Sequence, residues 1–134
     1  MKYLLDSNAV IALMKGHAGF VAEIRKHNPQ DFAIPAIVAH ELFYGAYKGR
    51  RVADNLARVD ALQFETLDFD KEDARTAGEI RASLASLGTP IGAYDVLIAG
   101  QAVARDLILI TRNVREFERV QQLRFEDWES LRNS

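Results

Sequence analysis

The segment Leu107-Ile108-Leu109-Ile110-Thr111-Arg112-Asn113 decides how the rest of the chain is read. Four large aliphatic residues in succession, bounded by polar ones, describe a short strand buried on both faces. Strands of that kind belong to parallel sheets, where helices cover each side. The chain opens in the same way. Tyr3-Leu4-Leu5 reads as a buried strand, ended by Asp6-Ser7-Asn8, which can start a helix over Ala9 to Met14.

Between these two strands the pattern alternates. Phe32-Ala33-Ile34 and Phe64 to Leu67 read as further short strands. Helical spacing covers Ala18 to about Lys26, Val52 to Leu62 and Ala93 to Ala104. Pro35 suits the first turn of a helix reaching about Tyr47, and Asp70 caps a long one from Lys71 to about Leu87. Asn28-Pro29, Lys48-Gly49 and the trio Gly88, Pro90 and Gly92 break the helices. After the last apolar strand come a short helix near Val114 to Glu118, an edge strand at Leu123 to Phe125 and a segment holding Trp128. The expected fold class is α/β: one domain over residues 1–134, with a short parallel β-sheet covered by helices on both faces. In such sheets the working site lies beyond the carboxyl ends of the strands. Asp6 and the loop Thr111-Arg112-Asn113 occupy those positions.

Composition narrows the chemistry. With 134 residues, 49% of them apolar, the chain supports one sizeable core and no second domain. It has no cysteine, which excludes disulfide scaffolds, zinc ribbons, iron–sulfur centres and thiol catalysis. The longest stretch free of charge, Ala82 to Tyr94, is too short and too broken to span a membrane. Strand patterning begins at Tyr3 without a leader-like segment, so a cytoplasmic protein is expected. Its 17 basic and 19 acidic residues give a net charge of −2, so any grip on a polyanion must be local or metal-assisted.

Two acids stand where apolar residues belong. Ile34, Ile37, Glu41, Tyr44 and Gly45 share a helix face, as do Ile91, Asp95, Ile98 and Ala102. An unpaired charge facing the core costs several kcal/mol, so Glu41 and Asp95 need an ion partner or a metal. Asp6 alone could be a helix cap. Thr111 and Asn113 offer neutral oxygens and Glu116 a carboxylate one turn on, although Asn113 and Glu116 also fit a capping box. Oxygen ligands without cysteine select hard ions, Mg²⁺ or Mn²⁺, which activate water and bridge phosphate oxygens. Phosphodiester hydrolysis is the reaction class that follows. His17, His27 and His40 read as surface residues, which argues against a two-histidine, metal-free nuclease. No Walker A loop, GxGxxG or GxSxG is present.

In this order, the pieces resemble PIN-domain ribonucleases, specifically VapC-type toxins of bacterial toxin–antitoxin pairs. The matching stretches are Tyr3 to Asn8, Glu41-Leu42-Phe43-Tyr44-Gly45-Ala46, the long block from Gly78-Glu79-Ile80-Arg81 through Gly92-Ala93-Tyr94-Asp95-Val96-Leu97-Ile98-Ala99, Thr111 to Val120 and Glu126-Asp127-Trp128. The resemblance implies an endoribonuclease using Mg²⁺ or Mn²⁺ held by Asp6, Glu41 and Asp95. It also implies structured RNA, often tRNA, as substrate, a cognate antitoxin that blocks the site, and a homodimer. Many family members carry Asp where this chain has Asn113, so the fourth carboxylate comes from Glu116 or is absent. Thr111, Arg112 and Asn113 are the expected substrate contacts. Two other classes stay open: a haloacid-dehalogenase-type phosphatase, which lacks its second aspartate because that position is Asn8, and a catalytically inactive regulatory binding partner.

Overall fold

All five strands run parallel. The computed structural model describes residues 1–130, so the last four residues of the expected 1–134 domain lie outside the described residues. Strands β1 (Tyr3–Leu5), β2 (Phe32–Pro35), β3 (Glu65–Leu67), β4 (Ile108–Ile110) and β5 (Phe125–Glu126) form one sheet in the order β3-β2-β1-β4-β5. Around it lie α1 (Ser7–Met14), α2 (Ala18–Ile24), α3 (Ala36–Lys48), α4 (Val52–Asp60), α5 (Lys71–Ser86), α6 (Ala93–Ala104) and α7 (Val114–Phe117). Leu4 and Leu5 point to opposite faces of β1 and are both fully buried, so both faces are covered.

From β1 the chain moves outward to β2 and β3, and α5 and α6 then carry it back to β4 on the other side of β1. The strand order therefore reverses between β1 and β4, which opens a crevice at their carboxyl ends. Leu5 pairs with Ile110 there, and the Asp6 N–H donates to the Ile110 carbonyl at 3.3 Å.

Three local expectations shift. Pro35 ends β2 and caps α3 from outside rather than sitting in its first turn; with φ −59° and ψ 144° it is still extended. The edge strand begins at Phe125, because the Leu123 N–H is spent on the Val120 carbonyl in a turn. His27 is not a surface residue. Its ring stacks on Trp128 at 5.2 Å between centroids, and Tyr3 and Phe32 pack against it edge-on. Trp128 needs aromatic company because it is only 2% exposed, and its indole N–H donates to Glu126 at 2.9 Å.

Helix α6 carries Asp95, and its placement rests on α5. A Cβ on Gly100 would lie 2.5 Å from Ala77 Cα, so the two backbones meet where no side chain fits. At the start of α5, Asp70 caps as expected and Asp73 completes a capping box, with bonds of 3.0 and 2.9 Å. Asp73 is 1% exposed and also receives Gln101 at 3.0 Å and two bonds from Arg105 at 3.2 and 3.0 Å. Burial alone would raise its pKa, but the Arg105 guanidinium, the Asp70 N–H and Gln101 together hold it below 3.8.

Removing the guanidinium strands a buried carboxylate, so Arg105→Ala should lose about 2–3 kcal/mol at neutral pH. A depressed folded pKa gives stability that is present above 3.8 and is lost as pH falls through the lower folded value. Urea midpoints at pH 7 and pH 3 should therefore show the gap between wild type and variant narrowing in acid. A constant gap would mean that Asp73 and Arg105 are not electrostatically linked.

Candidate active site

Asp6 follows β1 directly and combines two roles that the sequence leaves as alternatives. Its Oδ1 accepts the Ala9 N–H at 2.9 Å, capping α1, and its side chain lies in the crevice between β1 and β4, only 4% exposed. Burial pushes its pKa up to about 6. The Thr111 hydroxyl and the Ala9 N–H oppose that rise, while the charges of Glu129 and Glu41 add to it.

Asp95, on the first turn of α6, faces Glu116 on α7. Burial, then the charge of Glu116 and a hydrogen bond shared with it, push the Asp95 pKa up to about 7, with smaller contributions from Asp6 and Glu41. Glu116 moves the other way. The Gly92 N–H donates to its Oε1 and holds its pKa below the usual value; burial opposes this, and Asn113, Asp95 and Arg119 assist. Asn113 Nδ2 donates to the other oxygen, Oε2, at 2.7 Å. The two acids titrate as a pair, with proton affinity raised at Asp95 and lowered at Glu116.

The capping-box alternative for Asn113 and Glu116 does not form. Asn113 makes no side-chain cap bond, because its amide is turned onto Glu116, and Glu116 reaches across to Gly92 instead of back to its own helix. Glu41, on α3, is half-buried beside an apolar cavity of about 260 Å³ lined also by Ile11, Met14, Leu42 and Val59. Its charge bears on both Asp6 and Asp95, so four acids from four separate elements share one electrostatic field. Among the described residues no three His, Asp or Glu side chains are drawn into a ready ligand shell. The acids instead engage hydrogen-bond donors and one another.

The loop after β4 divides by exposure. Thr111, expected on the substrate side, is 1% exposed; its hydroxyl accepts the Asn113 N–H at 3.0 Å and bears on Asp6, so it braces the loop from inside. Arg112 is exposed and lies 4.0 Å from Glu129. The sequence singles out nothing at Glu129, whose nearness to Asp6 shows only once the segment after β5 has packed. Nor does it mark the part played by Gly92, which reads there as a helix breaker. A Cβ on Gly92 would lie 3.0 Å from Asp95 Oδ2 and 3.3 Å from Glu116 Oε1. Absence of a side chain there is what lets the two carboxyls meet.

The profile of the PIN domain matches residues 3–123. The chain belongs to the PIN-domain family. It is 42% identical over 130 residues to the tRNA(fMet)-specific endonuclease VapC of Salmonella typhimurium, covering 96% of this chain and 98% of that one. The enzyme of the same name from Shigella flexneri is 41% identical over the same shares. The crystal structure of DNA-bound VapBC from Salmonella typhimurium matches with a TM-score of 0.90 at 42% identity, covering 96% of this chain and 98% of that chain. VapBC2 from Rickettsia felis, bound to a DNA fragment from its promoter, matches with a TM-score of 0.87 at 32% identity, covering 96% and 99%. Family membership and Asn8 at the second-aspartate position together set the phosphatase alternative aside.

In this PIN domain Asp6 and Asp95 have folded pKa values above their unfolded ones, so the stability they contribute is complete below about pH 4. It is lost as pH rises through about 6 and about 7. Without divalent ions the protein should therefore weaken between pH 4.5 and pH 7, and Asp95→Asn should flatten much of that fall. Urea midpoints in EDTA across this range check it. A wild-type midpoint that rises steadily to pH 7 would contradict the crowding of charge at this site.

Proposed function

We propose that this chain is the toxin of a toxin–antitoxin pair, a metal-dependent endoribonuclease that hydrolyses phosphodiester bonds in structured RNA, with tRNA as substrate. The observation that carries the reading is the convergence of Asp6, Glu41, Asp95 and Glu116 at the strand-order reversal, where burial first and the charge of Glu116 next push the Asp95 pKa up to about 7. Mutual repulsion of this kind is relieved by a cation.

The donor set fits a hard divalent ion, Mg²⁺ or Mn²⁺. All four side chains are carboxylates, the chain has no cysteine, and none of the three histidines is among the groups bearing on these acids. When bound, such an ion supplies an activated water and a counter-charge for the leaving oxygen. Asp6 and Asp95 would hold it from the end of β1 and the first turn of α6, with Glu41 closing the site from α3 and Glu116 offering the fourth anionic oxygen. Thr111 keeps Asp6 in place, while Arg112 and Asn113 line the exposed side of the loop, where an RNA phosphate would approach. Arg50 and Arg51, exposed beyond α3, supply further local positive charge that the net −2 does not.

The tRNA(fMet) in the names of the Salmonella typhimurium and Shigella flexneri relatives makes that RNA the first substrate to test. The similar solved structures are VapBC assemblies, which supports a cognate antitoxin as partner. Pairing with a second copy of the chain, as in the family, completes the proposal. No helix among the described residues is long and apolar enough to cross a membrane. A cytoplasmic location belongs to the same reading, in keeping with tRNA as the proposed substrate.

Cleavage of tRNA should require added Mg²⁺ or Mn²⁺, stop in excess EDTA and leave 5′-phosphate and 3′-hydroxyl ends. Asp6→Asn should abolish it. Glu116→Gln should cost more than the roughly 10–100-fold typical of a change one shell away from a metal. Sequencing and end-labelling of the products read the chemistry. Cyclic 2′,3′-phosphate ends or full activity in EDTA would reject metal-assisted hydrolysis, and a wild type that binds RNA without cutting would make the chain a regulatory partner.

A further inference from the structure

Glu116 poses a physical problem. It stands on α7, a helix of four residues, and a helix that short has little internal hold on a side chain facing another carboxyl. Something outside α7 must keep Glu116 against Asp95. The segment between α5 and α6 is the one in contact with it, and that segment is tied at three points. The Thr89 N–H donates to the Leu84 carbonyl at 2.9 Å, securing it to the end of α5. Arg119, just past α7, donates from Nη1 to the Pro90 carbonyl at 2.9 Å. Two residues on, the Gly92 N–H donates to Glu116. Arg119 and Glu116 lie three residues apart on one side of this junction, and Pro90 and Gly92 lie two apart on the other. The result is a two-bond clasp between α7 and the loop.

Gly92 is not demanded by its backbone, since φ −55° and ψ 149° suit any residue. Space is what favours glycine, because a Cβ there would sit tightly against Asp95 Oδ2 and Glu116 Oε1, and the two carboxyls would have to give way by a few tenths of an ångström. Asn113 closes the remaining side of Glu116 from within the β4 loop. We propose that Arg119 and Gly92 are positioning residues: Arg119 anchors the Pro90 carbonyl so that the Gly92 N–H presents Glu116 to the site, with no Cβ to crowd the two carboxyls. The inference rests on reading Glu116 as a metal-site acid, and it assigns Arg119 a role other than gripping RNA. Arg112 and Arg115 lie on the same segment and are exposed, so sequence alone groups all three arginines as one basic patch. Only Arg119 spends its guanidinium on a backbone carbonyl of the loop that precedes α6.

The experiment compares Arg119→Met, Arg119→Lys and Gly92→Ala with the wild type in the full chain. Amide hydrogen exchange at Gly92, followed by NMR in EDTA, tests the clasp without any metal. Arg119→Met should exchange at least several-fold faster there, and Arg119→Lys, which retains a donor for Pro90, should stay near the wild type. Mn²⁺ titration by calorimetry should show about tenfold weaker binding for Arg119→Met and for Gly92→Ala, the low end for a group supporting a ligand from one shell out. The salt dependence of tRNA binding, measured in EDTA, should keep the wild-type slope in Arg119→Met, since no phosphate contact is lost. Unchanged exchange at Gly92 in Arg119→Met overturns the proposal. So does a shallower salt slope with wild-type Mn²⁺ affinity, which would make Arg119 an RNA contact. A wild type that binds no Mn²⁺ at all would instead sink the metal-site reading, and the Gly92 exchange rates would still decide the clasp.

Discussion

Leu5 lies beside Ile110 in the parallel ladder of β1 and β4, and the Asp6 N–H continues that ladder onto the Ile110 carbonyl. A parallel register has no freedom here: slipping β1 by one residue would exchange the faces of Leu4 and Leu5 and turn Asp6 away from the crevice. The same register brings Thr111, the first residue past β4, up to Asp6. Both strands are only three residues long, so this alignment depends on burial more than on ladder bonds. Leu4, Leu5, Leu109 and Ile110 are each at most 1% exposed. The floor of the site is therefore part of the buried core.

Onto that fixed floor the fold brings negative charge from three further directions. Glu41 comes from α3, Asp95 from α6 and Glu116 from α7, and each is half-buried. Burial withdraws Asp6 and Asp95 from water and raises their proton affinity, and the charges of neighbouring acids add to that rise. The fold meets this cost with fixed donors: the Ala9 N–H at Asp6, and the Gly92 N–H and the Asn113 amide at Glu116. The burden of keeping the crevice intact falls elsewhere, on the apolar core and on the Asp73–Arg105–Gln101 network that seats α6 against α5. Stability and function are separated along the chain. The buried acid that α5 uses for structure is fully paired, and the acids at the crevice are left partly unpaired.

Much of this was legible in the residues themselves. The apolar runs at Tyr3 to Leu5 and Leu107 to Ile110 are short, continuous and flanked by polar residues, and that pattern alone specifies buried parallel strands separated by helices. Asp95 and Glu41 stood out because a charged residue on an apolar helix face conflicts with the cost of burying charge. Asp70 announced its helix by cap chemistry. Each of these is a local conflict or a local preference, carried by neighbours within about one turn or one strand, and so it survives in one dimension.

Other features had no local signature. His27 is polar and sits near a helix end, which reads as surface, yet Trp128 from the far end of the chain covers its ring. Asn113 and Glu116 carry the spacing of a capping box, but a bond to Gly92, 24 residues away, outcompetes it. Gly92, Arg119 and Glu129 owe their places to contacts between segments remote in sequence, and nothing in their own neighbourhoods marks them. The sequence by itself determined the alternation of strands and helices, and the acids too costly to bury without purpose, because hydrophobic periodicity and desolvation act residue by residue. Only the tertiary structure decided which donors hold those acids, because a hydrogen bond depends on distances of a few ångströms that exist only once β4, α7 and the Pro90–Gly92 loop have packed together.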